Sequence, residues 1–123
     1  MSSQEIFDAI EATLRPIVGL AVKFGPLAIV EPVLPIVAIV PEDEPATRTS
    51  KTSSATELTI MLRLLADSAE NIEPWSQQIM AAMRSDPTLG GAARMCEFKT
   101  RGWSFYDPVF PQNGVKHHYV VTY

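Results

Sequence analysis

The sequence predicts an α+β fold: a mostly antiparallel sheet of four to five strands with two helices packed on one face. Three observations predict it. Residues 2–15 and 69–85 carry apolar side chains at helical spacing. Several other stretches alternate apolar and polar residues or are rich in β-branched ones. The strand-like stretches follow one another in series, with a terminal pair, rather than each being followed by a helix.

The first helix is marked by Ser2 and Glu5, which have capping-box spacing. Ile6, Ile10 and Leu14 recur every four residues, with Phe7 beside them, and Pro16 ends the segment. Val18, Leu20, Val22 and Phe24 then alternate with smaller or charged neighbours, which predicts a strand broken by Gly25-Pro26. Leu27–Val30 is expected to return as a hairpin. Residues 31–35, EPVLP, are too rich in proline for a central strand and read as an extended connection. Ile36–Val40 is a short buried strand. In the next strand Leu58, Ile60, Leu62 and Leu64 form one face, and Thr59, Met61 and Arg63 the other.

Ile72, Trp75, Ile79 and Met83 define the second helix, with Asn71 as its expected cap and Pro74 in its first turn, where a missing N–H costs little. SDPTLGG stops it. A long strand over about 92–104 follows, then a wide turn through DPVFPQNG. Val115–Tyr123 closes the chain as a strand.

At 123 residues with 46% hydrophobic and 20% charged composition, the chain is expected to be a single domain, 1–123, with a core that needs no disulfide or metal. Its one cysteine, Cys96, has no intrachain partner. A net charge of −4 disfavours a general nucleic-acid-binding surface. Residues 17–40 are long and apolar, but Lys23, Glu31 and the prolines at 26, 32 and 35 argue against a membrane helix. The N-terminus lacks the basic and continuous apolar regions of a secretory signal.

The chemistry-bearing residues give no catalytic, metal or cofactor motif. His117 and His118 are neighbours in a strand, so they point to opposite faces and cannot serve one substrate or metal together. Cys96 lies inside a strand pattern, without a helix N-terminus or glycine turn to activate it. The run Glu42-Asp43-Glu44 has the hard oxygen donors of a loose divalent-cation site and equally the composition of a solvated loop. Gly90-Gly91 follows a helix instead of preceding one, so it reads as a turn. Trp103, Phe105, Tyr106 and Phe110, with Arg94 and Arg101 on the adjoining strand, are either a core cluster or a contact surface for another protein.

The segment Val40–Glu57, VPEDEPATRTSKTSSATE, separates two of the most apolar stretches in the chain. Its central residues, about 41–56, contain no aromatic and no large aliphatic side chain, so the segment reads as a long mobile loop that cannot offset its own ordering entropy. Acidic residues come first (Glu42, Asp43, Glu44) and basic ones later (Arg48, Lys51), which are two unlike patches for a neighbouring subunit. Together with Arg101, Trp103 and Tyr106 these are the candidate interface residues. The alternative is a tolerated surface insertion.

The layout as a whole, an amphipathic helix before strands ending in LPIVAIVPEDE, a polar loop into ELTIMLRLLA, a helix ending in DPTLGG and a last strand HHYVVTY, resembles the tail terminator (minor tail or tail completion) proteins of long-tailed bacteriophages of the phage lambda type. The resemblance spans nearly the whole chain and brings no catalytic residues with it. It implies a homohexameric ring on the head-proximal end of the virion tail, assembled in the host cytoplasm. Such a ring ends tube polymerisation, contacts the tail tube protein and a head-completion or connector protein, and lets DNA pass without specific binding. A head–tail connector of the neck is the nearest alternative. A small metal-dependent or Cys/His hydrolase using Cys96, His117 or Glu97, and a monomeric adaptor binding a peptide along a sheet edge, are the alternatives from other classes.

Overall fold

Alternation of buried and half-buried positions along residues 57–64 marks the strand on which the molecule is built. The computed structural model describes residues 3–25, 35–42, 46–49, 54–66, 69–104 and 113–123. The elements run α1 (Ser3–Leu14), β1 (Ala21–Phe24), β2 (Ile36–Pro41), β3 (Ala46–Thr49), β4 (Ser54–Ala66), α2 (Ala69–Ser85), β5 (Met95–Ser104) and β6 (Asn113–Thr122). The fold is α+β. The sheet order is β1-β2-β4-β6-β5, and β3 pairs with β4 in addition. β1 and β2 are parallel and every other pairing is antiparallel. The expected hairpin return at Leu27–Val30 lies outside the described residues. The expected cap Ser2 does too.

Both helices lie on one face. Leu58, Ile60, Leu62 and Leu64 of β4, Val37 and Ile39 of β2, and Val115, Tyr119 and Val121 of β6 meet Ile6, Ile10 and Leu14 of α1 and Ile72, Ile79 and Met83 of α2 in one buried cluster. Fully burying an aliphatic side chain of this size stabilises the fold by about 1.5–3 kcal/mol. The cluster therefore outweighs weak local preferences. One such preference is overridden in α2. The helix begins at Ala69, ahead of the expected cap at Asn71, so Pro74 lies inside the helix instead of in its first turn. Proline has no N–H to give to the carbonyl of Glu70, and the buried stripe of Ile72, Ile79 and Met83 holds the helix nonetheless.

The polar segment after β2 is not wholly irregular, contrary to the expectation for 41–56. Ala46–Thr49 pairs antiparallel with Ser54–Glu57. The physical reason is that β4 is long. Its N-terminal end runs past the last apolar position and offers backbone N–H and C=O groups to which the Thr-rich segment can bond. Between Pro41↔Ile60 and Ala46↔Glu57 five steps along one strand match three along the other, so β3 resumes the line of β2 on the same edge of β4 with a shifted register. The opposite edge of β4 is occupied by β6, down to reciprocal backbone bonds of 2.9 Å between Thr56 and Tyr123.

The connection from α1 into β1 turns at Gly19, whose φ is +85°. A Cβ there would stand 3.2 Å from the Trp75 ring. Both the left-handed backbone and the close approach select glycine. Gly19→Ala is expected to destabilise the fold by about 1–2 kcal/mol, read as a lower urea midpoint at unchanged slope.

Candidate functional site

Among the described residues β5 pairs with one neighbour, β6, and its residue order decides what the outer edge of the sheet displays. Cys96 and Phe98 stand opposite Val121 and Tyr119 and share the helix-bearing face. Simple alternation would then turn Arg101 and Trp103 to the other face. The register instead slips between Phe98 and Thr100, so that Arg101 pairs with His117 and Trp103 with Val115. This bulge returns both side chains to the helix-bearing face, beside α2. The Arg101 guanidinium carbon lies 4.6 Å from the centroid of the Trp103 ring, a cation–π contact.

From there a polar chain runs inward. Arg101 Nη1 donates to both carboxylate oxygens of Glu73, at 3.1 and 3.2 Å, and to Ser76 Oγ at 3.3 Å. Ser76 Oγ is 2.7 Å from His117 Nε2. Ser76 and His117 are both 0% exposed, the two buried polar residues among those described. His117 Nδ1 is buried without a hydrogen-bond partner. The edge of the Phe98 ring system packs near it, with ring centroids 6.3 Å apart and an interplanar angle of 84°. The carboxyl of Glu73 is held below its ordinary range, first by the Gln77 side-chain amide that donates to it at 2.6 Å and then by Arg101. The His117 imidazole is held down to about 4, first by burial and then by the Arg101 cation, with Glu73 opposing.

The remaining sequence-derived residues are elsewhere. Glu42 is exposed, and its Oε1 is 2.9 Å from Nε2 of His118, whose Nδ1 is 3.2 Å from Thr100 Oγ1. His118 points to the face without helices, as expected from its position next to the buried His117. Glu42 is thus not part of the Arg101–Trp103 group. Arg48 stands opposite Ala55 in the β3–β4 pairing. Asp43, Glu44, Lys51 and Tyr106, with Phe105 and Phe110, lie outside the described residues.

Chemically, the polar chain is a hydrogen-bond network that runs from the partly exposed Glu73 to the buried His117, whose Nδ1 is left without a partner. Ser76 and His117 have the spacing of a nucleophile and base, but both are sealed under α2. Cys96 is buried, and burial pushes its thiol up to about 12, so it stays protonated. Among the described residues no group of three or more His, Cys, Asp or Glu is placed to hold a metal ion, and no helix is long and apolar enough to cross a membrane. What the edge presents outward is a partly exposed aromatic and cationic surface. Phe98 and Trp103 are large, partly exposed aromatics flanking an arginine, and α2 adds Met80 and Arg84 alongside. Sequence reasoning singled out Arg101 and Trp103 but not Glu73, Ser76 and Arg84, which the structure places beside them. Ser76 carried a signal. It sits on the Ile72–Ile79–Met83 stripe at helical spacing, so a buried hydroxyl needing a partner was implied.

Because His117 binds its proton less readily in the folded state, the unfolded chain takes up that proton first as the pH falls below about 6.5. The stability contributed by the neutral imidazole is present above that pH and is lost down to about 4. Unfolding free energy is expected to fall by about 3 kcal/mol across this window, read from urea midpoints at pH 7, 5.5 and 4. His117→Leu removes most of that slope.

No protein-family model and no curated protein matches the chain. A solved structure does share its fold. A chain in the virion of a native gene transfer agent (GTA) particle superposes with a TM-score of 0.54 at 13% sequence identity, covering 94% of this chain and 91% of that one.

Proposed function

We propose that this chain is a virion structural protein, a tail terminator whose copies close into a ring on the tail tube, end its polymerisation and present the surface for head attachment. The observation that carries the reading is the shared fold with a chain of a gene transfer agent virion over nearly the full length of both. The sequence resemblance to phage tail terminators supports the finer assignment.

The physics of the chain is compatible with it. A ring needs two different patches on each copy, joined head to tail by a rotation that closes. The sheet has two different ends, β1 and β5, and β3 with the start of β4 forms a hairpin that reaches toward the end of the sheet. Six copies at −4 each give about −24, which favours passage of DNA without adhesion. The partners in this reading are other copies of the chain, the tail tube protein and a head-completion or connector protein, and the product is geometry rather than turnover.

Native mass spectrometry of the concentrated protein is expected to show a closed ring of six. Purified tail tubes are expected to bind that ring at one end. A ring that ignores tubes but binds heads points to a neck connector, and a monomer at every concentration overturns the assembly reading. Cys96→Ser is expected to leave ring formation unchanged, since its thiol is buried and protonated.

A further inference from the structure

The two lateral ends of the sheet are unlike, and they match one another. At the first end, Phe24 of β1 is 51% exposed on the helix-bearing face, with one flank against Phe7 of α1 at a centroid distance of 4.8 Å. At the second end, Phe98 and Trp103 of β5 are each 40% exposed on that same face. Registers place these groups at one level. Phe24 pairs with Ile39, Ile39 with Leu62, Leu62 with His117 and His117 with Arg101, a single row across the sheet. Phe24 thus ends the row on one side, and Arg101, stacked on Trp103, ends it on the other.

Charge follows the same division. α1 turns Glu5 and Asp8 outward, and Asp8 accepts only from the neutral Gln4 side chain, at 2.9 Å. On the other side Arg84, at the last turn of α2, borders a hollow lined by Met80, Met83, Cys96, Phe98 and Tyr119. Among the described residues its side chain makes no hydrogen bond or ion pair. Asp8 has no cationic partner among them either. Among the described residues the helix layer is thinnest at the β5 margin: α1 packs over β1 and β2 and α2 over β4 and β6, and α2 reaches β5 through side-chain contacts such as those of Arg101.

We infer that the α1–β1 end of one copy docks on the α2–β5 end of the next, with Phe24 entering between Phe98 and Trp103 beside Arg101, and with Asp8 facing Arg84. The occupant of the β5 margin is therefore a second copy of this chain. The neighbour's α1 adds to the helix layer beside β5, and its β1 edge meets the β5 edge, neither of which has a strand partner on its outer side among the described residues. The arrangement is head to tail, so it repeats and can close. The inference rests on the ring reading above and assigns its interface to the two sheet ends, not to the charged segment 42–51.

Surface charge swaps test it without touching the core. Arg84→Glu and Asp8→Arg are each expected to weaken self-association at least tenfold by sedimentation velocity, with unchanged circular dichroism. The chain carrying both changes is expected to recover most of that loss, because the swapped charges meet across each joint. In a Cys96→Ser background, Phe24→Cys with Trp103→Cys is expected to give a covalent ladder up to the full ring with a short bismaleimide. Rings from both single variants at wild-type strength, or a double variant no better than the singles, overturn this interface while leaving the ring itself standing. Loss of association only on changing Glu42, Arg48 or Lys51 transfers the interface to the hairpin and overturns it as well. A wild-type chain that stays monomeric throughout removes the ring reading and this inference together.

Discussion

Leu58, Ile60, Leu62 and Leu64 project from one face of β4 into the space under the two helices, and the rest of the molecule is arranged to keep that stripe dry. β4 is the middle strand of the five in line, with β2 along one edge of its central residues and β6 along the other. A one-residue slip in either pairing would carry the whole stripe to the opposite face. Register is therefore strongly specified at the centre of the sheet, and weakly at its margins, where fewer apolar contacts depend on it. α2 illustrates the strength of the central constraint. Its buried stripe keeps a helical turn together around Pro74, against the backbone preference of that residue.

The margins are where the structure departs from simple repetition. A bulge at Lys99 reverses the phase of β5 and brings Arg101 and Trp103 to the face that carries Phe98. Bulges commonly blunt an edge strand against indiscriminate pairing, and they also re-aim side chains. In the proposed ring both consequences bear on association. The edge is irregular enough to discourage generic strand addition, while its aromatic and cationic groups are gathered on one face. At the other edge β1 is only four residues long and presents Phe24.

The polar chain from the partly exposed Glu73 through Arg101 and Ser76 to the buried His117 joins α2, β5 and β6. A buried pair of this kind adds little net stability, because desolvation offsets most of each hydrogen bond. Its consequence is positional. Ser76 and His117 each have few alternatives in an apolar surrounding, so the network fixes α2 against the bulged part of β5 and thereby sets where Arg101 and Trp103 stand. The same enclosure keeps His117 neutral, ties stability to pH, and denies the Ser76–His117 pair access to any substrate.

The sequence by itself determined the α+β class, the two amphipathic helices, the paired faces of β4 and the opposite orientation of His117 and His118. Each of these follows from a local period of 3.6 or 2, which a chain displays without knowing its neighbours. It also singled out Arg101 and Trp103 from composition near a turn. The tertiary structure alone decided the parallel pairing of β1 with β2, the pairing of Ala46–Thr49 with the start of β4, the slip in β5 and the burial of Ser76 against His117. These depend on which backbone groups and side chains are left needing partners once the central sheet has formed. A polar Thr-rich stretch has no period that announces a strand, and a bulge has no fixed residue signature. The physical reason is the same in each case: local periodicity encodes which face of an element is apolar, whereas hydrogen-bond satisfaction among distant segments is settled only when the faces have met.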